Sequence, residues 1–130
     1  MAKVIDANVI IRYLVGDSPL QTQRFKKIIQ AEKEKYFLTD VTIAEIIWVL
    51  QSYYKQEKDK ICDEILSLLE VAVFMVNKSL ITRAVNYFRQ YNLDYIDAYL
   101  IAFSQEENAE GVLSFDKSID KVKEIKRFEP

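Results

Sequence analysis

Val4-Ile5-Asp6-Ala7-Asn8-Val9-Ile10 places two β-branched apolar residues before an acid and starts a new apolar period behind it. This predicts a short buried strand at Val4-Ile5 that ends at Asp6, then a helix over residues 8–15 closed by Gly16. The same alternation extends outward from this segment. Ser18-Pro19 is an N-cap followed by proline at the first helical position, and it opens a helix over residues 19–33. Tyr36-Phe37-Leu38 reads as a second strand. Thr42-Ile43-Ala44-Glu45 has capping-box spacing and predicts a helix over residues 42–55, with another over 58–69. Residues 73–76 form a third expected strand. Ser79 is expected to cap a helix running to Gln90, and Asp94 one over residues 95–107 whose end is marked by Gly111. Val112-Leu113-Ser114-Phe115 reads as a fourth strand that stops at Asp116, and Arg127-Phe128 as a weak final one. Short apolar strands alternating with helices predict an α/β fold with a parallel sheet covered on both faces.

A length of 130 residues fits a single domain, residues 1–130, able to bury one core. With 50% hydrophobic and 29% charged residues the composition is that of a globular protein rather than a disordered one. Two Gly and two Pro predict short loops. The single cysteine, Cys62, has no internal disulfide partner, and no signal-like segment opens the chain, so a reducing cytoplasm is the expected location. Apolar runs are too short to span a bilayer, and no membrane association is expected. A net charge of −2 gives no global attraction for nucleic acid, although Lys117, Lys121, Lys123, Lys126 and Arg127 enrich the C-terminal end. The chain has no histidine, which excludes imidazole bases, His-based triads and His metal sites. Carboxylates remain as the chemical groups.

Four acids occupy distinctive positions. Asp6 and Asp116 directly follow expected strands, where ligands collect in open parallel sheets. Glu45 is the only charge in Ile43-Ala44-Glu45-Ile46-Ile47-Trp48-Val49-Leu50, and Asp97 the only one in Tyr95-Ile96-Asp97-Ala98-Tyr99-Leu100-Ile101-Ala102-Phe103. Both are expected to be buried or half-buried in the first turns of their helices. Two carboxylates about 5 Å apart repel by roughly 3 kcal/mol at an effective dielectric near 20, so four converging acids call for a cation. Oxygen-only ligands suit Mg²⁺ or Mn²⁺. Such an ion lowers the pKa of a water and stabilises charge on a phosphoryl group, which fits phosphodiester hydrolysis.

Each acid also has a plain structural reading. Glu45 can complete a capping box with Thr42, Asp97 can be a first-turn acid favoured by the helix dipole, and Asp6 and Asp116 can be strand-to-helix caps. Arg12 or Arg83 is a candidate ion-pair partner for one buried acid. Asn8 is either a turn residue or a group that orients Asp6, and Ser114 either a packed strand hydroxyl or a further donor at the site. Asp94 reads as an N-cap and Asp40 as a loop acid. Residues 43–50 are apolar nearly all round, more than one core face requires; a homodimer interface, the favoured reading, would account for the excess, as would burial between other elements.

The combination resembles the PIN-domain proteins, and more narrowly the VapC-type toxins of prokaryotic toxin-antitoxin pairs. Val4-Ile5-Asp6-Ala7-Asn8-Val9-Ile10 resembles the family's opening strand with its Asp-Thr-Asn motif. Val41-Thr42-Ile43-Ala44-Glu45 through Trp48-Val49-Leu50 resembles the helix with the characteristic glutamate. Asp94-Tyr95-Ile96-Asp97-Ala98 resembles the Asp-Ala helix start, and Ser114-Phe115-Asp116-Lys117 the closing Thr-Phe-Asp motif. Ala7 stands where the family usually has threonine, and Ser114 where threonine is common. The resemblance implies a three-layer α/β/α sandwich with a central parallel sheet. It also implies Asp6, Glu45, Asp97 and Asp116 around Mg²⁺ or Mn²⁺, with Asn8 and Ser114 in support. Endoribonuclease activity on RNA, a cognate antitoxin partner, a homodimer and a cytoplasmic location follow from it too. Two other classes stay open: a catalytically silent module that binds RNA or protein, and an aspartyl-phosphate phosphatase. The latter wants a second Asp two residues after Asp6, where this chain has Asn8.

Overall fold

Parallel pairing, the feature predicted from the strand-helix alternation, holds for every strand pair in the computed structural model, which describes residues 2–130. Residues divide into two compact units, one extending to Asn77 and the other comprising Lys78–Pro130.

The first unit carries β1 (Lys3–Val4), α1 (Ala7–Val15), α2 (Pro19–Ala31), β2 (Tyr36–Phe37), α3 (Asp40–Ser52), α4 (Lys58–Leu69) and β3 (Phe74–Met75). Its strands form one sheet in the order β1-β2-β3, with Lys3 opposite Tyr36 and Tyr36 opposite Phe74. The ladder continues past the strand ends through Ile5 N–H to the Phe37 carbonyl and Leu38 N–H to the Met75 carbonyl, both 3.0 Å. Strand alternation turns Ile5 inward and leaves Val4 71% exposed, so only half of the expected buried strand is buried. α1 ends as predicted at Gly16, whose φ of 71° closes the helix in the left-handed region that glycine adopts without strain. α2 stops at Ala31, two residues early, with Glu32 as a left-handed cap. Ile10 and Ile11 of α1 belong to the same core as Ile43, Ile46, Ile47 and Leu50 of α3, and the two helices pack together.

The start of α3 departs from prediction. Thr39, not Thr42, is the N-cap: its Oγ1 accepts the Thr42 N–H at 3.1 Å and the helix begins at Asp40. Asp40 is therefore a first-turn acid rather than a loop residue, and Glu45 falls in the second turn.

The second unit carries α5 (Lys78–Gln90), α6 (Tyr95–Glu106), β4 (Val112–Leu113), a 3₁₀ helix (Lys117–Lys121) and β5 (Arg127–Phe128). β4 and β5 pair in parallel, Val112 opposite Arg127 and Leu113 opposite Phe128. Gly111 is required at the start of β4 because a Cβ there would lie 2.0 Å from the Lys126 carbonyl oxygen. α5 packs along α6, burying Ile81, Ala84, Val85 and Phe88 together with Ala98, Ile101 and Ala102. Ser79 lies inside the first turn of α5 rather than capping it, and its hydroxyl donates to Glu106. Among the described residues no helix is long and apolar enough to cross a membrane.

Candidate active site

The end of β4 builds the most organised acidic feature of the second unit. Ser114 continues the strand ladder by donating its N–H to the Phe128 carbonyl at 2.9 Å, and its Oγ accepts the Asp116 N–H at 2.9 Å. Asp116 then caps the 3₁₀ helix, its Oδ1 accepting the Ser118 N–H at 2.9 Å and the Ser118 hydroxyl at 2.6 Å. The Ser118 hydroxyl and amide, helped by a hydrogen bond from Asp97, hold the Asp116 carboxyl below its ordinary range.

Asp97 is the third residue of α6, in the first turn as predicted, and is half-buried. Burial, then the hydrogen bond and charge of Asp116 and the charge of Asp94, push its carboxyl up to about 6. The opposed shifts describe one coupled pair: below about pH 6 Asp97 holds a proton that it donates to an ionised Asp116. Neighbouring carboxyls oppose each other's ionisation, so the second proton leaves the pair only as pH rises through about 6.

The first unit presents its acids differently. Asp6 caps α1, its Oδ2 accepting the Asn8 N–H at 3.2 Å, and it is exposed. The turn reading and the orienting reading of Asn8 thus coincide in its backbone amide. Asn8 also lines a groove of about 300 Å³ with Val9, Arg12, Arg24, Phe25 and Ile28. Glu45, expected to be buried or half-buried, is exposed. The buried stripe of α3 is Ile43, Ile46, Ile47 and Leu50, and Glu45 sits on another stripe between the exposed Val41 and Trp48. Apolar residues on several sides of α3 masked this orientation in the sequence.

Within its own unit, then, Asp97 is brought to Asp116 with Ser114 supporting the loop, whereas Asp6 caps α1 and Glu45 stands in the second turn of α3. Among the described residues no group of three or more Asp, Glu or Cys side chains is arranged to hold a metal ion. The Asp97–Asp116 pair nevertheless fits a hard divalent cation. Its donors are all oxygen, and the like charges that now hold a proton would be relieved by a dication. Arg83 does not neutralise any of the four acids: it bonds Gln105 at 3.0 Å and Glu106 at 3.7 Å. Sequence reasoning overlooked Ser118, although an acid two residues before a serine at a strand end is an Asx-type cap pattern. It read Arg127 only as part of the basic C-terminal run and of a weak final strand; pairing of β5 with β4 brings its side chain to the loop.

Parallel strands alternating with helices place the chain among the α/β proteins, with the coupled Asp97 and Asp116 as its candidate site. The family described as PIN domain matches residues 3–125, so the chain belongs to the PIN domain family. It is 23% identical over 123 residues to a VapC ribonuclease of Aquifex aeolicus (strain VF5), an alignment covering 92% of this chain and 91% of that protein.

Proposed function

We propose that this protein is a Mg²⁺- or Mn²⁺-dependent endoribonuclease, acting as the toxin of a toxin-antitoxin pair. The observation that carries the reading is the Asp97–Asp116 pair, a first-turn acid of α6 coupled to the acid beyond β4 in a PIN-family chain. The likeness to a VapC ribonuclease supports the choice of RNA. In this reading the chain is one domain with the three-layer α/β/α arrangement, and Asp6, Glu45, Asp97 and Asp116 serve a single hydrolytic site. Asp97 and Asp116 hold the cation together with Asp6, Glu45 completes the set, and Asn8 and Ser114 fix the backbone on which Asp6 and Asp116 stand. When bound, the divalent ion supplies Lewis-acid stabilisation of phosphoryl charge and lowers the pKa of water.

The chain's own residues do the rest. Asp116 stays ionised because Ser118 donates to it twice, so it is ready to accept a cation. A cation beside the pair would favour the ionised form of Asp97 as well. Exposed Lys117 and Lys123 contact RNA phosphates. A cognate antitoxin, a cytoplasmic location and a homodimer complete the proposal.

The test is cleavage of a single-stranded oligoribonucleotide with and without Mn²⁺. Asp6→Asn, Glu45→Gln, Asp97→Asn and Asp116→Asn are each expected to lower metal-dependent cleavage by more than about 100-fold. Supporting residues around metal ligands already cost roughly 10- to 100-fold. Full activity in Asp97→Asn or Asp116→Asn, or chelator-resistant cleavage by the unaltered protein, rejects the reading. Metal-independent RNA binding with no turnover favours a silent module.

A further inference from the structure

Arg127 lies beyond the segment matched by the family and has no place in the acidic set, yet its side chain is only 10% exposed. Its fork is fully engaged. Nε and one terminal nitrogen bond the two carboxylate oxygens of Asp120 at 3.0 and 3.2 Å, and the other terminal nitrogen donates to the Ser114 carbonyl at 2.9 Å and, at 3.5 Å, to Glu129. Ser114 and Asp120 are the two ends of the loop that bears Asp116. One guanidinium therefore ties the exit of β4 to the 3₁₀ helix and closes the loop into a ring.

We infer that Arg127 is the positioning residue for Asp116: it clamps both ends of the Ser114-to-Asp120 loop and so fixes where that carboxylate presents its oxygens to a divalent cation. The inference rests on the reading of Asp116 as a cation ligand. Inside the ring every link leads to Asp116, through the Ser114 hydroxyl to its amide and through Ser118 to its carboxylate. A planar bidentate group is needed because one point charge cannot span a carboxylate and a carbonyl at these fixed angles. The loop has a second anchor, the fully buried Ile119 and Val122, so loss of the clamp slackens the Asp116 end without unfolding the unit.

The experiment uses the full chain as Arg127→Gln, Arg127→Lys and Asp120→Asn. In metal-free protein, backbone order parameters at residues 115–118 are expected to fall from about 0.85 towards 0.6 in Arg127→Gln, with those of α5 and α6 unchanged. Mn²⁺ binding measured by calorimetry without RNA is expected to weaken about 10-fold, as for other groups that orient ligands, and Arg127→Lys to recover part of it. Cleavage should need correspondingly more Mn²⁺ for half-maximal rate, while kcat at saturating Mn²⁺ returns to within about 2-fold, a separation that general destabilisation does not produce. Unchanged order parameters, or a loosened loop with unaltered Mn²⁺ affinity, overturns the inference. Absence of Mn²⁺ binding by the unaltered protein overturns it together with the ligand reading of Asp116. Failure of the unaltered protein to cleave RNA while Mn²⁺ affinity still tracks Arg127 rejects the nuclease reading and upholds the clamp.

Discussion

Asp97 shows how a single side chain couples site chemistry to stability. Its carboxyl is held up to about 6 against an ordinary value of 3.8, so the folded chain binds this proton more tightly than the unfolded chain does. The stabilisation from this group is then full below about pH 4 and is lost as pH rises through about 6. Asp116 and Asp120, whose carboxyls are held below their ordinary range, act in the opposite sense and lose their contributions only as the solution becomes more acid than about pH 4. Asn at position 97 can donate to Asp116 without ever ionising. In chelator, Asp97→Asn is expected to melt higher than the unaltered protein at pH 7 and no higher at pH 4, by calorimetry. Equal melting temperatures at pH 7 contradict the coupling of Asp97 to Asp116. Presence of Asp97 in an apolar run was legible from sequence, and its first-turn position followed from Asp94. The partner that perturbs it was not, because Asp116 lies 19 positions away and reaches it only through folding.

Among the elements, helix starts and one strand start carry the informative details. The predicted capping box at Thr42 and the observed cap at Thr39 differ by one turn, because the Thr39 side chain takes the Thr42 amide and the two threonine hydroxyls bond at 3.0 Å. Thr39→Ala is expected to cost about 1 kcal/mol, read as a loss of denaturant midpoint, whereas an Ala at Glu45 costs little stability because that side chain is exposed and caps nothing. Gly111→Ala is expected to break the start of the β4–β5 pair, since the added carbon meets the Lys126 carbonyl that accepts the Val112 N–H at 2.9 Å. Loss of the Val112 and Ser114 amide protection in hydrogen exchange, with α5 and α6 still protected, is the readout. Gly111 was recognised as punctuation in the sequence. Its close approach to a neighbouring strand was not legible there, since residues 111 and 126 become neighbours only in the sheet.

For the molecule as a whole, the C-terminal basic residues predicted as a charge run divide into two groups. Lys121 donates to the Asn92 carbonyl at 2.9 Å, Arg127 is tied to Asp120, and Lys126 lies over the Phe128 ring, so these three are engaged within the chain. Lys117 and Lys123 are exposed. With roughly three phosphate contacts, affinity for single-stranded RNA is expected to fall about 20-fold between about 50 and 200 mM salt, and Lys117→Gln with Lys123→Gln to flatten that slope. Equal slopes place the phosphate contacts elsewhere. By itself the sequence determined the α/β class, the parallel strands and nearly all element positions, because these follow from hydrophobic period, caps and turn residues that are local in the chain, while the PIN family was legible as a resemblance in the motifs around Asp6, Glu45, Asp97 and Asp116. Tertiary structure alone decided that Glu45 faces outward, that Asp97 meets Asp116, and that Arg127 ties Ser114 to Asp120. Each of these depends on distances between residues remote in sequence, and such distances are set by packing and strand register rather than by local propensity.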